Sequence, residues 1–181
     1  LTPGLGIAGG NLERDLATVC RIAERIGSDA GVVKAWIDNS RHRREWAWRT
    51  LERAVLPQMP NPAIAVLGLA YKENTHSIKN SPSLAFIRHL GRFALRAYDP
   101  VVPVSAAPHP NAHGADSALA ACAGADVLAV MTPWPAFRQL DPAAIARAMR
   151  GRVLLDPYAV LDAGACARAG LMRYTLGVGA P

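Results

Sequence analysis

From residue 63 onward the sequence alternates short apolar runs with helical stretches that carry their own start and stop signals. Residues 63–69 (AIAVLGL) are apolar at nearly every position and too few for a buried helix, which marks a strand covered on both faces. Residues 81–91 follow as a helix, opened by Ser81 with Pro82 behind it and closed by Gly91. Further strands are expected at 94–98, 126–131, 153–155 and 172–176. Helices are expected at 116–123, after the Asp141–Pro142 cap, and as a small one before residue 172. Repeated β-α units of this kind require a parallel sheet with helices on both faces, a Rossmann-like α/β domain over residues 62–181. Such sheets bind ligands at the carboxyl ends of their strands, here the loops after Leu69, Asp99, Met131 and Asp156. Residues 100–114 read as a surface loop, with His109 and His113 punctuating it and no metal site implied.

Residues 1–57 are written differently. A glycine-rich loop at 4–10 runs into helical sequence near Asn11, where Leu12, Leu16, Val19, Ile22, Ala23 and Ile26 recur at helical spacing. Gly27 is a natural stop, and Ser28 or Asp29 a natural cap for a second helix. That long helix is expected from about residue 30 to 56, with Val33, Trp36, Ile37, Ala47, Leu51 and Val55 on one broad stripe and Pro57 and Pro60 ending it. Residues 58–62 read as a linker between this helical segment and the sheet domain. Gly4, Gly6 and Gly9 satisfy G-x-G-x-x-G, but that fingerprint counts only between a strand and a helix, and here helix follows helix.

The net charge of +6 is concentrated in Arg41, Arg43, Arg44, Arg49 and Arg53, beside His42, Trp46 and Trp48. A solvated or partner-facing helix accounts for such a run, so no nucleic acid partner is expected. No apolar run approaches the roughly 18 residues that cross a bilayer, so no membrane partner is expected either. Cys20, Cys122 and Cys166 are far apart and odd in number, which supports neither a disulfide framework nor a zinc site. A reducing, cytoplasmic setting is the expectation. Leu1 is not an initiator Met and no signal-peptide pattern follows it, so the sequence is expected to begin inside a longer one.

Several motifs stand in a fixed order. Residues 6–15 (GIAGGNLERD) resemble a catalytic signature Gly-Phe-Gly-Gly-Ser-Cys-Phe-Pro-Lys-Asp, and a helix with Asp38-Asn39 partway along follows at the expected place. Residues 66–82 (VLGLAYKENTHSIKNSP) lie beside a pattern close to VLGLAFKPNTDDIRESP. Residues 97–100 match AYDP, 132–137 match T-x-W-x-x-F, and Leu155-Asp156 opens a D-x-R motif. By these motifs the chain resembles the central helical segment and C-terminal nucleotide-sugar-binding domain of the UDP-glucose/GDP-mannose dehydrogenases, oxidoreductases of polysaccharide biosynthesis.

The resemblance implies a nucleotide-sugar held between the glycine loop and the sheet. By matching position, Gly6, Ile7, Ala8, Leu12, Tyr71, Lys72 and Tyr158 would line it. Lys79 would face an NAD cofactor whose main binding domain lies outside this sequence, and the long helix would pair two copies into a homodimer. Asp15 keeps the acid of the catalytic signature. Other positions depart from the family. Asn11 stands at the catalytic cysteine, and an amide is no nucleophile at neutral pH, which closes the covalent thioester route. Arg14 replaces a lysine, Tyr158 an arginine, and His76 and Ser77 two acids. The expectation is the C-terminal part of an NAD-dependent dehydrogenase homologue with a degenerate catalytic motif. The alternative is a non-catalytic nucleotide-sugar-binding or dimerisation module.

Overall fold

The structure, a computed structural model, describes residues 4–179. The apolar runs become strands of one parallel sheet, with β1 (Ile64–Leu67) at its centre. On one side β1 pairs with β2 (Leu95–Tyr98), Ile64 opposite Leu95, and β2 pairs with β3 (Ala112–Gly114). On the other side β1 pairs with β4 (Val127–Val130), followed by β5 (Val153–Leu155) and β6 (Met172–Tyr174). The order β3-β2-β1-β4-β5-β6 is that of a complete doubly wound sheet. The chain leaves β1 in one direction and returns on its other side at β4. The crevice at this reversal, between the ends of β1 and β4, is where such sheets take ligands.

The crossovers begin as their caps dictate. In α4 (Pro82–His89) the Ser81 hydroxyl accepts from Leu84 N. Asp141 accepts from Ala143 N and Ala144 N at the start of α6 (Pro142–Ala148), and Asp162 from Ala165 N at the start of α7 (Ala163–Arg168). Helix α5 (Ala118–Ala121), capped by Ser117, is shorter than expected. Residues 100–114 are not wholly loop, because Ala112–Gly114 adds the edge strand β3 and His113 lies in it. Three residues reading Ala-His-Gly carry no strand pattern; pairing with β2 creates the strand.

Helix α1 (Asn11–Ile26) ends at Gly27 in the left-handed region, as its sequence requires. The single long helix does not form. It breaks at Glu45 into α2 (Gly31–Arg44) and α3 (Trp46–Ala54), and the Arg49 guanidinium donates to the His42 carbonyl at 2.6 Å beside the break. The N-cap of α2 is Ala30, while Asp29 accepts from Gly31 N at 3.1 Å.

The expected broad stripe therefore divides. Ala47, Leu51 and Val55 join the core of the sheet, and Trp46 and Trp48 pack against that core, Trp48 stacked on His89. On α1 only Leu16 and Ala23 are buried, while Leu12, Val19, Ile22 and Ile26 face outward with Val32 and Trp36 of α2. No described helix is long and apolar enough to cross a membrane.

Candidate functional site

At the β1/β4 reversal the three residues after β1 are fixed by hydrogen bonds from all sides. Ser83 Oγ donates to the Gly68 carbonyl at 2.6 Å, Ser81 Oγ to Leu69 O at 2.8 Å, and Thr132 Oγ1 to Ala70 O at 2.7 Å. Gly68 has φ +92, and a Cβ there would lie 2.4 Å from Thr132. Only glycine fits.

Asp99, just past β2, is the hub. Its Oδ2 accepts from Leu69 N at 2.6 Å, Ala70 N at 3.0 Å and Trp134 Nε1 at 3.1 Å. Its Oδ1 accepts from Val101 N and Val102 N, both at 2.9 Å. Burial would raise its pKa, but the four backbone N–H groups outweigh that and hold the carboxyl below its ordinary value. Asp99 and Trp134, read from sequence as markers of resemblance, thus tie together the loops after β1, β2 and β4. Asp156 closes its own loop after β5, accepting from Val160 N at 2.9 Å and Leu161 N at 3.0 Å, with Arg173 of β6 at 3.5 Å. Here burial wins and its pKa is raised.

The glycine loop is brought onto this edge. Gly9 N donates to Lys79 O at 3.0 Å, and Asn80 Nδ2 donates to Gly9 O at 2.8 Å. The Tyr71 ring lies 3.1 Å from where a Gly9 Cβ would be, and the Tyr158 ring 3.0 Å from the same point on Gly4. From the other side α2 holds the loop. Ser40 Oγ accepts from Ile7 N at 2.7 Å, Arg44 donates to Ile7 O at 2.7 Å, and Arg43 to Gly4 O at 3.2 Å. Part of the basic run is thus committed to loop carbonyls. Burial, with the Glu73 charge adding to it, pushes the Tyr158 phenol up to about 12 against the opposing Leu5 N–H, so it stays neutral. A pocket of about 340 Å³ opens between the loop and α2, lined by Gly4, Gly6, Ile7, Trp36, Asn39 and Arg43, with Ser40.

Tyr71, Lys79 and Tyr158 therefore lie against the loop at Gly9, Gly10 and Gly4, whereas Gly6 and Ile7 face Ser40 and Arg44 of α2, and Ala8 lies in the same loop, partly buried. Asn11 and Leu12 open α1 with exposed side chains. Lys72 is exposed, its ammonium 5.7 Å from the Tyr71 ring centroid. Asp15 is exposed and paired with its neighbour Arg14 at 2.9 Å. Asn80, Ser40 and Arg44, which hold the loop, were not foreseen; Asn80 does so from φ +51. Burial pushes the Cys122 thiol up to about 12 and raises that of Cys166, so neither offers a thiolate at neutral pH. Among the described residues no cluster of His, Cys, Asp and Glu could hold a metal.

Residues 65–163 match the model of the UDP-glucose/GDP-mannose dehydrogenase family, UDP binding domain. The chain belongs to that family. It is 32% identical over 162 residues to the UDP-glucose 6-dehydrogenase of Pseudomonas aeruginosa, covering 84% of this chain and 36% of that protein. It is 30% identical to the UDP-N-acetyl-D-mannosamine dehydrogenase of Pyrococcus horikoshii, covering 86% of this chain and 35% of the relative. A solved UDP-D-ManNAc dehydrogenase from Pyrococcus horikoshii superposes with a TM-score of 0.80 at 26% identity, over 98% of this chain and 40% of that one. The chain thus spans well under half the length of these relatives.

A nicotinamide dinucleotide does not fit the sheet of this family member. In dinucleotide folds the acid ending β2 takes the ribose hydroxyls. Asp99 occupies that place, and both its oxygens are already taken by N–H groups.

Proposed function

We propose that the chain binds a nucleotide-sugar, with its UDP half on the carboxyl edge of the sheet and its sugar toward the first turn of α1. One observation carries this: the glycine loop is clamped by α2 directly against Tyr71, Lys79 and Tyr158, which follow β1 and β5 at the carboxyl edge of the sheet. Loop backbone at Gly6, Ile7 and Ala8, with Leu12, would face the ligand. Tyr71 would pack on it, Lys72 would bring an ammonium to a phosphate oxygen, and Tyr158 would offer a neutral phenol. Lys79 would present its charge toward a cofactor held chiefly outside these residues. In functional terms we divide the chain into a helical segment, residues 1–57, and a ligand domain, residues 62–181.

The chemistry is curtailed. Asn11 supplies no nucleophile, and the buried Cys122 and Cys166 remain protonated. The thioester route from sugar to acid is closed, and these residues alone bind without oxidising. Within a full-length homologue that holds NAD elsewhere, oxidation would stop after two electrons, with about one NADH per sugar. A uronic acid formed with two NADH by the full-length protein would refute the role given to Asn11.

The test of binding is a calorimetric and thermal-shift panel of UDP, UDP-glucose, UDP-N-acetyl-D-mannosamine and GDP-mannose. Ligand at a hundred times its Kd should stabilise the fold by about 2.7 kcal/mol. A panel in which no nucleotide moves the melting temperature at millimolar concentration would refute the proposal.

A homodimer is a second element, and the outward apolar residues of α1 and α2 favour it. Ile26 is 68%, Val32 62% and Trp36 57% exposed. The dimer face is then α1 with the first half of α2, since Trp46 and Trp48 serve the chain's own core. A strict monomer by light scattering at high micromolar concentration would remove this element.

A further inference from the structure

The side chain of Glu13 joins three parts of the molecule. It lies in the first turn of α1, two residues after Asn11. One carboxylate oxygen accepts from Asn80 Nδ2, and the other lies 3.7 Å from Arg44 of α2. Each of those partners also grips the glycine loop, Asn80 at Gly9 O (2.8 Å) and Arg44 at Ile7 O (2.7 Å). Gly9 N closes the arrangement by donating to Lys79 O at 3.0 Å. Asn80 reaches these acceptors from φ +51, a left-handed conformation that asparagine adopts more readily than most side chains. The Glu13 and Arg44 side chains are 31% and 16% exposed, so their contact is partly shielded from water, while Asn80 itself is exposed.

Both positions depart from the patterns quoted above. Glu13 stands at the proline of Gly-Phe-Gly-Gly-Ser-Cys-Phe-Pro-Lys-Asp, and Asn80 at the glutamate of VLGLAFKPNTDDIRESP. In this chain the carboxylate is on α1, and an amide donor faces it from the loop before α4.

We propose that Glu13 and Asn80 form a latch that positions the first turn of α1, with Asn11 and Leu12, over the sheet domain. The inference rests on the nucleotide-sugar reading. The UDP half belongs to the sheet, within residues 65–163, so what the first turn of α1 meets is the sugar. Glu13 and Asn80 are positioning residues. Loosening the latch weakens binding of a UDP-sugar and leaves UDP alone unaffected.

The experiment is isothermal titration of the 181-residue chain with UDP, and with UDP-glucose and UDP-N-acetyl-D-mannosamine, taking the tighter sugar. E13A and N80A each weaken the UDP-sugar about tenfold and change UDP less than about twofold, and the double variant is no weaker than either single one. E13Q, which keeps an acceptor for Asn80, retains most of the affinity. N80G relieves the left-handed backbone and keeps or raises the melting temperature, yet loses UDP-sugar affinity; a merely structural role would not separate these two. Equal losses for UDP and UDP-sugar, additive single effects, or unchanged affinities overturn the latch. So does a wild-type chain that binds UDP and UDP-sugar equally well. A wild-type chain that binds neither overturns the nucleotide-sugar reading itself, and the latch with it.

Discussion

The carboxyl edge of the sheet and the first two helices are built on opposite terms. At the sheet edge the polar atoms of the loops find partners within the chain: three hydroxyls serve the carbonyls of residues 68–70, and Asp99 alone accepts five N–H groups. In α1 and α2 neither N-cap residue makes a side-chain cap, and much of the apolar surface faces outward. One region is complete in itself; the other leaves apolar side chains in solvent. If a second copy covers the outward face of α1 and α2, as proposed, that apolar surface serves assembly and the sheet edge serves binding. Changes at the edge should therefore damage the fold, while changes at the outward apolar residues of α1 and α2 should damage only association.

Two glycines test this most severely. At Gly68 an added Cβ meets Thr132 at 2.4 Å on a backbone at φ +92, whereas at Gly27 it meets nothing within 4 Å at φ +71. G68A should destabilise by about 4 kcal/mol or prevent folding, since steric overlap in a packed site adds to left-handed strain. G27A should cost about 1 kcal/mol, the strain alone. Urea melts give both numbers, and equal losses would abolish the distinction between the regions.

The two buried carboxylates come next. D99N must turn an amide donor toward N–H groups, and should cost about 2–3 kcal/mol. D156N, with two backbone donors to satisfy rather than four, should cost less. Their pH dependences differ in sign. The pKa of Asp99 is lowered in the fold, so its contribution is full above the unfolded value near 3.8 and is lost as pH falls through the folded value. The pKa of Asp156 is raised, so its contribution is full below 3.8 and is lost as pH rises through the folded value. D99N should therefore flatten the acid limb of stability against pH, and D156N should steepen it. The reverse pattern in melts between pH 2 and 6 would show the two roles misassigned.

The sheet was legible because β1 and β4 are apolar at every position, and the caps at Ser81 and Asp141 are chemical signals in the chain itself. The edge strand β3 was not, since its three residues become a strand only through β2. Nor was the break at Glu45, which contains neither glycine nor proline and lies beside the contact of Arg49 with a carbonyl seven residues earlier. Gly6, Tyr71 and Tyr158 were singled out through their motifs, and the two tyrosines lie against the glycine loop. Ser40, Arg44 and Asn80 were missed because each acts on the loop from a distant stretch of sequence.

The smallest stability effect should come from Trp36, and it separates the two regions most cleanly. Trp36 is 57% exposed on α2, next to the 340 Å³ pocket, and so removes little of its ring from water within this chain. W36A should shift the unfolding free energy by less than about 0.5 kcal/mol, as surface substitutions do. Trp48 offers the contrast one helix later, because its ring stacks on His89 at 4.8 Å and packs against the sheet core. W48A should cost about 2–3 kcal/mol, below the 3–5 of a fully buried tryptophan. If α1 and α2 present the dimer face, W36A should weaken self-association at least tenfold, because truncated interface tryptophans commonly cost 2 kcal/mol or more. W48A should leave self-association unchanged at temperatures where it remains folded. Sedimentation of the two variants over a concentration series reads this directly. If W48A dissociates the dimer while W36A leaves it intact, α3 is the partner face, and the helical segment is not the open surface that its exposure indicates.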